Sequence, residues 1–138
     1  MRLNRYANKY RCTTGETFMY TSIYLHRVPR KNIEAFRHIL AAAAEIYQGH
    51  GALKRILYAP VNMDPKYNCL PFDDVIKMAD DESIFIEINE FYDQTHHDEV
   101  MVKVDIDPQH LQLYEDLTVI VDISCIVRGE FKSVLLNA

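Results

Sequence analysis

The chain reads as a ferredoxin-like α+β domain, a split βαβ arrangement whose helices lie on one face of an antiparallel sheet. Three observations predict this fold. Two segments alternate apolar and polar residues with period 2, and one long segment between them repeats its apolar residues at three- and four-residue spacing. Strands and helices then follow in the order strand, helix, strand, strand, helix, strand. The 138 residues suffice for one core and little more. At 49% hydrophobic and 25% charged, with four Gly and five Pro, the composition excludes a disordered or low-complexity chain.

Residues 17–28, TFMYTSIYLHRV, are rich in aromatic and β-branched side chains and predict the first strand. Alternation puts Met19, Ile23 and Leu25 on one side and Phe18, Tyr20, Ser22, Tyr24 and His26 on the other. The aliphatic side is expected to meet the helices and the aromatic, polar side to be the open face. Pro29 opens the first helix, with Asn32 as an alternative cap. Its apolar stripe is Ile33, Phe36, Leu40, Ala43, Ala44 and Tyr47, and Gly49 and Gly51 end it. Residues 52–59 form a second strand with Arg55 and Leu57 on one face. Residues 60–74 hold Pro60, Pro65 and Pro71 and form a long loop, suited to a lid, an interface arm or an insertion.

Residues 83–91 alternate again. Ile84, Ile86 and Ile88 are expected under the helices, and Phe85, Glu87, Asn89 and Phe91 on the open side with Tyr24 and His26. Thr95 and Asp98 resemble a capping box for a second helix that buries Val100, Met101 and Val104. Asp107-Pro108 ends it and caps a short third helix containing Leu111, Tyr114 and Leu117. Residues 124–135 are the last strand, with Gly129 as a bulge or a point of close approach. The open face would expose a large apolar patch, which a second copy of the sheet covers most simply.

The net charge of −5 argues against nucleic acid as a partner, and no apolar run is long enough to span a bilayer, so no membrane partner is expected. The first sixteen residues carry Arg2, Arg5, Lys9 and Arg11 against Glu16 and read as a basic, flexible tail ahead of a domain over residues 17–138. Cys12, Cys69 and Cys125 lack paired spacing, which points to reduced thiols and a cytoplasmic location rather than disulfides or zinc. No dinucleotide, P-loop, nucleophile-elbow or zinc-protease motif is present, so no cofactor or metal is expected.

The site expectation is a cavity between the sheets of a homodimer, lined by Tyr20, Tyr24, His26, Glu87 and Asn89. Glu87 in apolar surroundings would have a raised pKa, and with His26 it is the catalytic candidate for acid–base work. His50, between two glycines at a helix end, is either a partner of the helix dipole or a further cavity residue. His96 and His97 diverge by about 100° on a helix, so a solvated pair is expected rather than a metal site, and His38 and His110 are expected at the surface.

The stretch RVPRKNIEAFRHILAAAAEIYQGHGAL, followed by HHDEVMVKVDIDP and IVRGEF, resembles the YbaA-like family of uncharacterised bacterial proteins over residues 20–135. His50, Gly51, Ala52 and Leu53 carry the resemblance, with His96, Asp98, Lys103, Val104, Asp107 and Pro108. The family's closing Met-Pro-Phe-Asp-Gly-Lys-Arg motif is replaced by LTVIVDISCIVRGEF, which keeps Asp122. The resemblance implies a dimeric α+β barrel and leaves the activity open. The expectation is therefore a small-molecule binder or cofactor-independent enzyme. The alternative is a structural or interaction protein whose sheet face serves only for assembly.

Overall fold

The computed structural model describes residues 18–137. The predicted basic tail, 1–16, lies outside the described residues, as does Cys12. Four strands, β1 (Tyr20–Pro29), β2 (Lys54–Tyr58), β3 (Glu82–Phe91) and β4 (Val127–Lys132), form an antiparallel sheet in the order β2-β3-β1-β4. The helices are α1 (Ile33–Gly49), a single turn α2 (Phe72–Val75), α3 (Gln94–Asp105) and α4 (Pro108–Ile120). This is the predicted ferredoxin-like α+β fold. The 60–74 segment carries α2 and a small bridge between Lys66 and Cys69.

The two sheet faces are exchanged relative to expectation. Phe85, Phe91 and Val28 pack with Phe36, Leu40, Tyr47, Val100 and Val104 of the helices, so His26, Glu87 and Asn89, on the same strand face, also lie under the helices. Ile23, Leu25, Ile86 and Ile88 form the face away from them, joined through register by Ile56 and Val127. Period-2 alternation separates two sets of side chains without saying which is covered. The polar set can be buried because His26, Arg55 and Asn89 all bond to the Glu87 carboxylate, a compensation that a composition-based burial rule does not count.

The core has two parts. Val28, Phe36, Leu40, Phe85 and Val121 fill one end, and Tyr47, Ala52, Phe91, Val100 and Val104 the other. Strand β3 contributes Phe85 to the first and Phe91 to the second, which leaves Glu87 and Asn89 between them.

Helix ends account for other differences. Pro29 closes β1 instead of opening α1, and a 3-10 turn, Arg30–Asn32, intervenes. Asn32 makes no side-chain cap; its amide donates to the Ile120 carbonyl at 2.9 Å, tying the start of α1 to the end of α4. The cap of α3 is Asp93, which accepts from the His96 N–H at 2.8 Å, so the Thr95–Asp98 box does not form. Asp107 caps α4 ahead of Pro108, as expected. Leu117 packs on the core, whereas Leu111 and Tyr114 are half-exposed. Gly129 pairs regularly with Ile23, so it is no bulge, but a Cβ there would come within 2.9 Å of the Phe131 ring.

His96 and His97 are buried, not solvated. His96 Nδ1 accepts the Tyr92 N–H at 2.9 Å, so Nε2 carries the proton and donates to the Gly51 carbonyl at 2.9 Å. The imidazole thereby fastens α3 to the turn between α1 and β2.

Phe36 is fully buried, with ring centroids 5.5 Å from Phe85 and 5.1 Å from His26. Phe36→Ala should destabilise the fold by about 3–5 kcal/mol in urea denaturation. A loss below about 1 kcal/mol would mean that this end of the core collapses to fill the space.

Candidate active site between sheet and helices

Glu87 stands at the centre of the polar layer, 3% exposed. Its Oε1 lies 2.9 Å from His26 Nε2, and its Oε2 meets Arg55 Nη2 at 3.0 Å and Asn89 Nδ2 at 2.7 Å. Strand register produces the cluster. Glu87 lies opposite Tyr24 on one side and Leu57 on the other, and Asn89 opposite Ser22 and Arg55. Period 2 puts all these side chains on one face, and His26 and Arg55 reach Glu87 as diagonal neighbours from the two flanking strands. Asn89 also donates to Ser22 Oγ at 3.1 Å.

The raised pKa expected for Glu87 is not found. Burial pushes the carboxyl up, but the His26 hydrogen bond, the Arg55 guanidinium and the Asn89 amide outweigh it and hold the pKa at about 2. Glu87 is therefore an ionised acceptor at neutral pH and cannot serve as a general acid. A carboxylate only accepts, so His26 Nε2 must be the protonated nitrogen, and Nδ1 carries the lone pair in the neutral ring. Nδ1 is buried without a hydrogen-bond partner among the described residues.

A cavity of about 340 Å³ opens beside this cluster, within one subunit, between the sheet and α1, α3 and α4. Tyr24, His26, Arg55, Glu87 and Arg128 line it, one or more from each strand. Aliphatic side chains such as Leu40, Met101, Leu113 and Leu117 supply most of the remaining wall. Tyr24, His26 and Glu87, expected to face a second sheet, thus line a cavity on the opposite face, for the same reason that the faces are exchanged.

The predicted residues divide accordingly. Tyr24 and His26 are stacked, with ring centroids 6.0 Å apart, and both line the cavity with Glu87. Asn89 is fully buried behind Glu87 and supports it from below the wall. Tyr20 lies outside: its hydroxyl donates to Glu130 Oε1 at 2.5 Å, which pushes its pKa up to about 12. Glu130 Oε2 is taken by Arg128 at 2.8 Å, and His97 approaches Oε1 at 3.6 Å. His50 is also outside. It lies 2.7 Å from Asp107 Oδ2 and joins the end of α1 to the cap of α4.

Three wall residues escaped sequence reading. Strand alternation puts Arg55 on a face without assigning it a role, yet its side chain is 8% exposed and its guanidinium lies 4.3 Å over the Tyr47 ring. An arginine at the middle of a short apolar strand was the available signal. His110, expected at the surface, is half-buried in the wall, where burial and then Arg55 lower its pKa. Arg128 lies 5.2 Å over the Tyr24 ring.

Glu87→Gln should destabilise the protein by about 3–5 kcal/mol at neutral pH, because Arg55 keeps a buried charge and loses its counter-charge. Because the folded pKa of Glu87 is depressed, its contribution is complete above the ordinary value of 4.5 and is lost as pH falls toward about 2. Thermal unfolding across that window should therefore fall less steeply for Glu87→Gln than for the wild type. Parallel acid limbs would show that the carboxylate is not held in this way.

No curated protein matches the sequence. Solved structures do match in fold. SnoaB, a cofactor-independent oxygenase from Streptomyces nogalater, is 14% identical over 87% of this chain and 98% of that one, with a TM-score of 0.56. A dimeric ferredoxin-like protein from an uncultured marine organism is 12% identical over 87% and 90%, at 0.55. A putative antibiotic biosynthesis monooxygenase from Nitrosomonas europaea is 11% identical over 85% and 98%, at 0.53. At these identities the likeness is one of fold. The sequence itself matches a family over residues 19–119, from the start of the sheet almost to the end of α4, and the chain belongs to that family, DUF1428, a protein of unknown function.

Proposed function

We propose that this protein binds a small organic molecule in the cavity under its helices and transfers a proton to or from it without a cofactor. The observation that carries the reading is a buried histidine–carboxylate pair on the wall of a 340 Å³ cavity, where one imidazole nitrogen has no hydrogen-bond partner among the described residues. Cavities of roughly 300–1,000 Å³ with apolar walls and a few polar groups are the usual form of small-molecule sites. His26 Nδ1 accepts a proton from an acidic O–H or C–H of the ligand, and the ionised Glu87 fixes the tautomer and stabilises the imidazolium that results. Two fold neighbours described as a cofactor-independent oxygenase and a putative monooxygenase support small-molecule chemistry on this scaffold. The free thiols Cys69 and Cys125 support a cytoplasmic setting.

The second part of the proposal is a homodimer through the other face. Ile23, Leu25, Ile56, Ile86 and Ile88 make its centre aliphatic, and Val127 and Phe131 beside them are 52% and 56% exposed. A face of this kind needs a cover, and a second copy supplies one with two-fold symmetry. Assembly and ligand binding then use opposite sides of the sheet, so the assembly-only alternative and the cavity reading are separable.

Native mass spectrometry compared with denatured protein tests the first part, together with a ligand-observed NMR screen of small aromatic acids, amides and phenols. A released mass or a set of mutually competing binders is expected, with both lost in Ala43→Phe, which fills the cavity. A folded wild type with neither would sink the reading. For the second part, analytical ultracentrifugation should show a dimer that Ile23→Glu converts to a monomer, with ligand binding retained. A wild-type monomer at tens of micromolar would overturn the dimer.

A further inference from the structure

Among the described residues, the buried side-chain atoms left without a hydrogen-bond partner are His26 Nδ1, Arg55 Nε, Arg55 Nη1 and Asn89 Oδ1. These belong to the three side chains that hold Glu87. The unmet bonding capacity of the described interior is thus gathered at one point, beside the cavity. Buried polar groups are nearly always paired, so a cluster of unpaired ones around a cavity calls for a partner from outside the chain.

The identity of the atoms specifies that partner. Arg55 Nε and Nη1 are donors that stay charged, and they take only acceptors, best a negatively charged oxygen. Glu87 meets the guanidinium through Nη2 alone, and Nε and Nη1 reach neither of its oxygens. The Tyr47 ring 4.3 Å from Cζ and the Glu87 contact at Nη2 hold the guanidinium before any ligand arrives. His26 Nδ1, by contrast, is an acceptor and takes a donor.

Resting on the cavity reading above, we infer that the ligand is an organic acid anion bearing a neighbouring hydroxyl or enol. Its carboxylate sits on Arg55, its O–H faces His26 Nδ1, and its ring-sized apolar body lies against Leu40, Met101 and Leu117. The O–H is then the proton that His26 removes, and the Arg55 charge lowers the cost of the oxyanion formed.

The test uses 3-hydroxy-2-naphthoate and its neutral isostere 3-hydroxy-2-naphthamide, titrated calorimetrically at neutral pH into the full-length protein. The wild type should bind the carboxylate at least tenfold more tightly than the amide. Arg55→Lys keeps a cation for Glu87 but lacks Nε and Nη1, and should bring the two affinities within about twofold while amide binding persists; Arg55→Met should do the same if folded. A second groove of about 280 Å³, on the other flank of α1, also reaches Arg55 and Glu87, with Ala44 in its wall and Ala43 in that of the main cavity. Ala43→Phe should abolish binding of both probes, and Ala44→Phe should not.

Equal affinities in the wild type would overturn the anion assignment, and a carboxylate preference that survives Arg55→Lys would overturn the seating of that carboxylate on Arg55; either result leaves the cavity reading standing. A preference lost in Ala44→Phe and kept in Ala43→Phe would overturn the placement. A folded wild type that binds neither probe nor any of the screened compounds would remove both this inference and the reading beneath it.

Discussion

The burial of one carboxylate constrains the rest of this structure. Glu87 is 3% exposed and ionised, and a charge in that position persists only if its environment supplies opposite charge and donors. The supply comes from three adjacent strands: His26 from β1, Arg55 from β2, Asn89 from β3 itself. A slip of one residue in either pairing would turn His26 or Arg55 to the other face and take from Glu87 one of its two cationic or hydrogen-bonding neighbours across the strands. The central register is therefore specified by electrostatics as well as by the apolar residues on either side.

That constraint also explains the division of the core. Aromatic and aliphatic packing fills both ends of the sheet, under Phe85 and under Phe91, and the polar layer interrupts it between them. The cavity lies against this layer, and its wall changes from charged at the sheet to aliphatic at the helices.

Much of the fold was legible in the sequence. The stripe of Phe36, Leu40, Ala43 and Tyr47 and the alternation from Ile84 to Phe91 each identify their element from period alone, and Asp107-Pro108 marks a helix start without tertiary information. The site was half legible. His26, Tyr24 and Glu87 emerged together because they share a strand face. The sign of that face did not, because burying Glu87 depends on Arg55, and only the β2–β3 register brings Arg55 there. Asn32, His50 and His96 depend on partners of a related kind: each bonds across a sequence distance of 45 residues or more, to Ile120, Asp107 and Gly51. Local spacing contains no trace of such partners.

Helix α4 is fastened at its two ends, by the Asn32 amide at its last carbonyl and by His50 at its capping aspartate, and it has no buried residue along its length. Between these supports, where Leu117 packs on the core, Leu113 and Tyr114 hang over the cavity like fittings from a beam. Exchanging those side chains alters the ceiling of the chamber while the supports, the sheet register and the charged floor keep their geometry. A lineage carrying this scaffold can therefore diversify what it accommodates through a handful of positions on one helix, with little penalty to folding.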